Sequence, residues 1–313
     1  MMHPTSAWID GRLVPAGAPH LSVTDRGFQL GDAVFETLRA RAGRSIELDR
    51  HVTRLRHSLE VLEINAGPDL EARLAAGIRQ LLDAEGLGGP DGDAAVRITI
   101  SRGAAPGRGT LPPAGTHPTV VIQAWPMQPP PAAQLTEGLN VVISSVRRDP
   151  ENPMSAVKST SRADSVYARL EATRADADDA IFLTTDGYLS EGTAANLFLL
   201  VDGRLITPSL ACGILEGTTR AWLLGWGERA GLRPDEGLFT TRHLAEADEA
   251  FMCSSVAGVI PVTRFEGRSI GAGRPGPWTR RARADREACF DGQPAPASDA
   301  SGAPGSDPGA ATA

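Results

Sequence analysis

The chain has 313 residues, of which 41% are hydrophobic and 22% charged, and a formal net charge of −7. That length carries two ordinary domains or one large one, and the composition is that of a globular protein. The acidic balance, with arginine scattered singly or in pairs, excludes a nucleic-acid surface as the main reading. No apolar run has the length of a signal peptide or a membrane span. Cys212, Cys253 and Cys289 show neither metal-ligand nor C-x-x-C spacing, so they read as reduced thiols in a cytoplasmic protein.

In chain order, residues 8–14 predict a hairpin turning at Asp10-Gly11. Residues 33–40 predict a buried strand, followed by a turn at Gly43 and a strand ending near Leu48. Val52, Leu55, Leu59 and Leu62 then recur at helical spacing behind a candidate N-cap, Asp49. A second helix is expected over 69–84, with Leu70, Leu74, Ile78, Leu81 and Leu82 on one face. Strands at 95–101 and 119–125 flank a Gly/Pro-rich loop with two arginines, a length of irregular chain that is commonly functional. The Pro-rich stretch at 126–135 reads as an inter-domain linker.

Beyond it come a strand at 140–146 and a helix at 161–173. Consecutive β segments follow, turning at Asp186-Gly187 and Asp202-Gly203. A helix over 219–230, a strand at 249–253 and a C-terminal helix capped by Arg280, Arg281, Arg283 and Arg286 complete the ordered chain. The expected organisation is α+β with a small domain at 1–125, a linker at 126–135, a large domain at 136–291 and a disordered tail at 292–313.

Lys158 is the one lysine among 31 basic residues. Arginine serves salt bridges, phosphate contacts and solubility, but it cannot lose its proton and attack a carbonyl as an imine-forming amine can. Lys158 is therefore either a covalent catalyst or a chance surface survivor. A lysine Schiff base holding an aromatic phosphate cofactor needs an acid at the ring nitrogen, a phosphate cradle and apolar cover for the ring. Glu191, between Ser190 and Gly192, is a candidate acid or an ordinary exposed turn residue. Gly217, Thr218 and Thr219 at a helix start form either a phosphate cradle or a simple threonine cap. Ser254 and Ser255 are a similar, weaker donor cluster.

Seven blocks in order carry a resemblance: DRGFQLGDAVFETLR (25–39), HVTRLRHS (51–58), SRGAAPGRG (101–109), VKSTSRADSV (157–166), LSEGTAANLF (189–198), GILEGTTR (213–220) and FMCSSVAGVIPV (251–262). Over residues 8–288 the chain resembles the class IV, fold type IV, pyridoxal-phosphate enzymes. These include D-amino-acid, branched-chain and (R)-amine transaminases and aminodeoxychorismate lyase. The resemblance implies a smaller N-terminal α/β domain, a larger β-rich C-terminal domain with helices, a homodimer, and pyridoxal 5'-phosphate as cofactor. It implies that Lys158 holds the cofactor and shuttles the proton, that Glu191 binds the pyridine nitrogen and that Leu215 packs on the ring. Arg54, Thr218, Thr219 and Ser255 bind the phosphate. Phe35, Thr37, Arg108, Arg162 and Val256 line the substrate side, and the site lies between the two domains.

Two departures bear on substrate. Branched-chain transaminases place an Asn-Tyr pair where this chain has Ser161-Arg162, an arginine that resembles the lyase. D-Amino-acid transaminases place a tyrosine at Phe35 and an Arg-x-His pair where this chain has Gly107-Arg108-Gly109. The expected reaction is a ping-pong transamination between an amino donor and a 2-oxo acid, with a D-amino acid or (R)-amine donor preferred. The alternative is pyruvate elimination from aminodeoxychorismate, towards which Thr37, Arg162 and the loop lean. A cofactor-free lysine aldolase and a non-catalytic relic of the fold are the remaining rivals.

Overall fold

The computed structural model describes residues 4–107 and 109–293. Arg108, and the expected tail from residue 294 onward, lie outside them. The chain divides into two compact units, residues 1–129 with 153–164, and residues 130–152 with 165–313.

The first unit is one antiparallel sheet with two helices on one face. Its elements are β1 (Ser6–Ile9), β2 (Arg12–Pro15), α1 (Arg26–Leu30), β3 (Ala33–Arg41), β4 (Arg44–Ser45), α2 (Leu48–Val61), α3 (Leu70–Ala84), β5 (Asp93–Ser101) and β6 (Thr119–Pro126), with strand order β2-β1-β6-β5-β3-β4. The β1–β2 hairpin turns through Asp10 and Gly11, both at positive φ, the conformation a two-residue hairpin loop favours. β5 and β6 bury every second residue, so Val96, Ile98, Ile100, Val120 and Ile122 meet Val52, Leu55, Leu59, Leu74, Ile78 and Leu81 of the helices. Gly77 allows α3 to come this close: a Cβ there would lie 2.8 Å from both Ile122 and Trp8. α2 starts after Glu47, so Asp49 sits in its first turn and is not the cap. The strand expected to end near Leu48 is only the two residues of β4. α1 has too few residues to show a periodicity.

The second unit is a nine-stranded mixed sheet with both faces buried. In chain order it contains α4 (Ala132–Thr136), β7 (Leu139–Arg148), α5 (Ala163–Arg174, its first two residues in the first unit), β8 (Asp179–Thr184), β9 (Leu189–Gly192), β10 (Asn196–Val201), β11 (Arg204–Pro208), α6 (Thr218–Arg229), β12 (Arg233–Gly237), α7 (Thr241–Ala245), β13 (Glu249–Ser254), β14 (Gly258–Phe265), β15 (Arg268–Ser269) and α8 (Pro277–Phe290). The order is β12-β11-β10-β13-β14-β7-β8-β9, with β15 on β14. Leu197, Leu199 and Met252 point to one core, whereas Phe198, Leu200, Phe251 and Cys253 point to the other, beneath Leu223 and Trp226 of α6 and Ala282 of α8. Two covered faces explain why β8 and β10 are continuous apolar runs. Glu249 fixes α8 by accepting from the Thr279 backbone N–H (2.7 Å) and hydroxyl (2.6 Å) at the first turn. The four C-terminal arginines lie along α8, where Arg286 is buried among aromatic rings and so is not the cap the sequence predicts.

One placement departs from the expected domain at 136–291. Residues 153–164, which carry Lys158, belong with the first unit. Residues 158–160 lie along the edge of β3 that β4 leaves open: Phe35 N–H donates to Lys158 C=O and Thr160 N–H to Ala33 C=O, both at 2.9 Å. The expected linker at 126–135 is likewise occupied at its two ends by β6 and α4.

Glu36, fully buried on β3, ties α2 to the sheet. Arg54 grips both carboxylate oxygens from Nε and Nη2 at 2.7 Å each, and His51 Nδ1 donates to Oε2 at 2.7 Å. Burial pushes this carboxyl upward, but the hydrogen bonds and charges of Arg54 and His51 outweigh it and hold it at about 2. A depressed carboxyl adds stability that is complete above its ordinary value of 4.5 and is lost as pH falls through about 2. Glu36→Gln is thus expected to cost about 3 kcal/mol in urea unfolding at neutral pH, because it strands Arg54, and roughly half of that near pH ~3. An equal cost at both pH values would contradict this assignment.

Candidate active site

In the first unit the site is built on the sheet face away from α2 and α3. Alternation along β3 sends Glu36 to the helices and Phe35 and Thr37 to the other face, where they pair with Thr99 and Arg97 of β5. Two cations lie against Phe35: Arg97 Cζ is 3.9 Å from its ring centroid and Lys158 Nζ 4.7 Å. The Lys158 backbone N–H donates to Ser58 Oγ of α2 at 3.2 Å, so the lysine is fixed from both β3 and α2. Lys158 and Thr37 are half-buried, as is Arg162. Burial, and then the charge of Arg162, lower the pKa of Arg97 below the ordinary guanidinium value. A nucleophilic amine, an aromatic wall and two neighbouring guanidinium groups make a face suited to a carbonyl compound that carries a carboxylate.

The loop after β5 is anchored to the segment around α1. Asp25 accepts from Gly27 N–H and Ser101 Oγ, each at 2.8 Å, while Arg26 and Arg102 both donate to Asp32 Oδ2 at 2.7 Å. Arg26 also donates to the carbonyls of Gly109 and Thr110 at 2.8 Å each. Gly103 closes the loop base at φ +92°, where a Cβ would lie 1.9 Å from the His117 carbonyl. The Asp25-Arg26-Gly27 triplet is therefore a loop anchor.

In the second unit the candidate residues gather where β9, the start of β10, the end of β13 and the start of α6 converge. Glu191 on β9 is buried, and its Oε2 accepts from Leu215 N–H (3.1 Å) and Asn196 Nδ2 (3.3 Å). Its Oε1 lies 4.0 Å from Arg148 Nη2, and the Arg148 guanidinium stacks 4.1 Å above the Phe182 ring. Glu191 is thus an oriented carboxylate, and the exposed-turn reading fails. Asn196 Nδ2 also donates to Leu215 C=O at 2.9 Å, which fixes the chain leading into α6.

Gly217 is the N-cap of α6, and a Cβ there would strike Asn196 Oδ1 at 2.0 Å. Thr218 follows, 7% exposed, its hydroxyl without a hydrogen-bond partner among the described residues. Thr219 is buried too, and its hydroxyl oxygen accepts from Arg286 Nη2 at 3.4 Å. An unsatisfied buried hydroxyl at the positive end of a helix fits a phosphate oxygen. Ser255 and Val256 occupy the half-buried turn between β13 and β14.

The structure brings Lys158, Phe35, Thr37 and Arg162 together in the first unit, with Arg54 of α2 clasped by Glu36. Glu191, Leu215, Thr218 and Thr219 come together in the second. Sequence reasoning missed Arg97, Arg148, Asn196 and Glu36. Arg97 had a signal, being an arginine among apolar residues in the middle of an alternating strand. Asn196 had only its place directly before an apolar run. No cluster of three or more His, Cys, Asp or Glu able to hold a metal occurs among the described residues, none of their helices is long and apolar enough to cross a membrane, and no disulfide joins the three cysteines.

The D-alanine aminotransferase of Bacillus licheniformis is 32% identical over 275 residues, covering 88% of this chain and 93% of that protein. The aminodeoxychorismate lyase of Bacillus subtilis (strain 168) is 32% identical over 265 residues, covering 85% and 88%. The T.th. branched-chain amino acid aminotransferase, solved with pyridoxamine 5'-phosphate, superposes with a TM-score of 0.86 at 27% identity, covering 93% of this chain and 96% of that one. The family model for class IV amino-transferases matches residues 33–265, most of the chain, so this protein belongs to the class IV aminotransferases, enzymes of fold type IV that work with pyridoxal 5'-phosphate.

Proposed function

We propose that the enzyme is a transaminase that carries an amino group from a D-amino acid or (R)-amine donor to a 2-oxo acid in a ping-pong cycle. The observation that carries this reading is the setting of the single lysine. Lys158 is pinned to the edge of β3, with Nζ over Phe35 and with Arg97 and Arg162 close by, so an amine able to form an imine faces groups able to hold a substrate carboxylate. When bound, pyridoxal phosphate supplies an electron sink for the bond broken at the substrate Cα.

The chain's own groups do the rest. Lys158 would hold the cofactor through Nζ and, once released from it, would move a proton between the substrate Cα and the cofactor C4′. Glu191, oriented by Leu215 and Asn196, would sit at the ring nitrogen and favour its protonated form, and Leu215 would cover the ring. Thr218, Thr219, Ser255 and Arg54 hold the phosphate, Arg54 with its guanidinium plane set by Glu36. Phe35, Thr37 and Val256 shape the substrate wall. Arg162 takes the carboxylate together with Arg97, a residue the sequence reading did not include; Arg108 is the other candidate. The donor preference rests on Ser161-Arg162 standing where branched-chain enzymes carry Asn-Tyr, and on the similarity to a D-alanine aminotransferase.

The second reading is lyase elimination of pyruvate from aminodeoxychorismate. Arg162, Thr37 and the loop after β5 favour it, as does the likeness to the Bacillus subtilis lyase.

We also propose a homodimer in a reducing, cytoplasmic compartment. Val23 and Phe28 around α1 are 75% and 77% exposed, large apolar surface that a partner subunit would cover, and none of the three cysteines is in a disulfide.

Amino donors added separately to the yellow protein test the reaction. Bleaching of the visible band by D-alanine or (R)-1-phenylethylamine, and not by L-leucine, is the expected outcome. Bleaching by L-leucine alone would contradict the donor preference, and acceptor-independent release of pyruvate and 4-aminobenzoate would establish the lyase. Glu191→Gln is expected to keep the cofactor bound and to lower kcat by ~10²-fold, the loss typical of one preorganised electrostatic partner. Unchanged kinetics would mean that another acid faces the ring nitrogen. Light scattering is expected to give twice the chain mass, and a monomer mass would remove the dimer.

A further inference from the structure

The C-terminal helix places a buried guanidinium behind the N-terminus of α6. Arg286 is 1% exposed, packed with Cζ 5.1 Å from the Trp222 ring and 4.8 Å from the Phe290 ring, and it donates from Nη2 to Thr219 Oγ1 at 3.4 Å. A hydroxyl has one proton. When its oxygen accepts from a guanidinium, its own O–H points away from that cation and is left to donate elsewhere. Arg220, also buried, donates to Pro208 C=O and is ion-paired with Glu236 of β12, so its charge is balanced there, whereas the charge of Arg286 reaches Cys253 on β13. The Arg286 guanidinium thus stands behind the helix end that presents the unsatisfied Thr218 hydroxyl. In an interior of low polarity such charge acts over several ångströms with little screening.

We propose that Arg286 is a positioning residue for the cofactor phosphate: it orients the Thr219 hydroxyl to donate into the α6 cradle and adds positive charge behind it. The proposal rests on the reading of Thr218 and Thr219 as a phosphate site. It joins the last helix of the chain to cofactor retention through one side chain, with no contact between Arg286 and substrate.

The test compares pyridoxal 5'-phosphate with pyridoxal, which forms the same bond to lysine but lacks the phosphate. Both are titrated by absorbance into the full chain freed of cofactor. Arg286→Met is expected to weaken pyridoxal phosphate binding roughly 10-fold, the scale of one charged hydrogen bond, while pyridoxal affinity changes less than about twofold. Arg286→Lys is expected to recover most of that loss, and provides the comparison if the methionine variant does not fold. In Thr219→Val the further change Arg286→Met is expected to add little, since the two act through one hydroxyl. Equal weakening of both ligands would make Arg286 merely structural, and no weakening of either would remove its role. Thr218→Val separates the two levels. If it lowers the preference for the phosphorylated ligand while Arg286→Met does not, only this proposal falls. If it leaves the preference intact, the phosphate reading falls and takes this proposal with it.

Discussion

Residues 158–160 form no named helix or strand, yet two backbone hydrogen bonds lay them along the open edge of β3 and a third contact ties Lys158 to Ser58 of α2. Everything chemical in the first unit depends on that pairing. A lysine side chain has four rotatable carbons, and its freedom is costly to restrain from the tip alone. Here the backbone is fixed first, so the amine is presented over Phe35 and beside Arg97 before any ligand arrives. The same strand sends Glu36 to the opposite face, where it orders Arg54. One strand therefore sets both the Lys158 segment and the Arg54 guanidinium, because successive residues of a strand face opposite ways.

The buried charges divide by purpose. Glu36 is saturated by Arg54 and His51, and the Asp25, Arg26, Asp32 and Arg102 network is spent on holding a loop. Buried pairs of this kind are costly to form and still more costly to break, so their yield is a defined geometry more than net stability. Glu191 differs: Leu215 and Asn196 both engage Oε2, while Arg148 stays 4.0 Å from Oε1. Those contacts fix the orientation of the carboxylate on β9. Thr218 is its polar counterpart at the start of α6, buried with its hydroxyl unspent.

The β alternation of β5 and β6, the helical periods of α2 and α3 and the Asp-Gly hairpin turns were legible in the sequence because each follows from a local rule. So were the singularity of Lys158 and the donor pattern at Gly217, Thr218 and Thr219. What escaped is non-local. No spacing announces that residues 153–164 leave the second half of the chain to pair with β3. Nothing local shows that Arg286 turns inward onto Trp222 and Phe290 while its neighbours on α8 remain more accessible, so four arginines read as one cap. α1, α4 and α7 are five residues each, too short for a period to appear. Arg97 was read as an ordinary strand residue because its role depends on the cross-strand neighbour Thr37 and on Arg162, which lies far along the chain.

The central claim is that the one lysine carries the cofactor, and the composition makes this unusually direct to test. Treating the yellow protein with borohydride makes the cofactor's bond to its amine permanent, and whole-protein mass followed by peptide mapping then locates it. The account predicts a single phosphopyridoxyl group on Lys158, absent from Lys158→Ala. A protein that gains no such mass after incubation with pyridoxal phosphate, or gains it only at the amino terminus, would contradict the account.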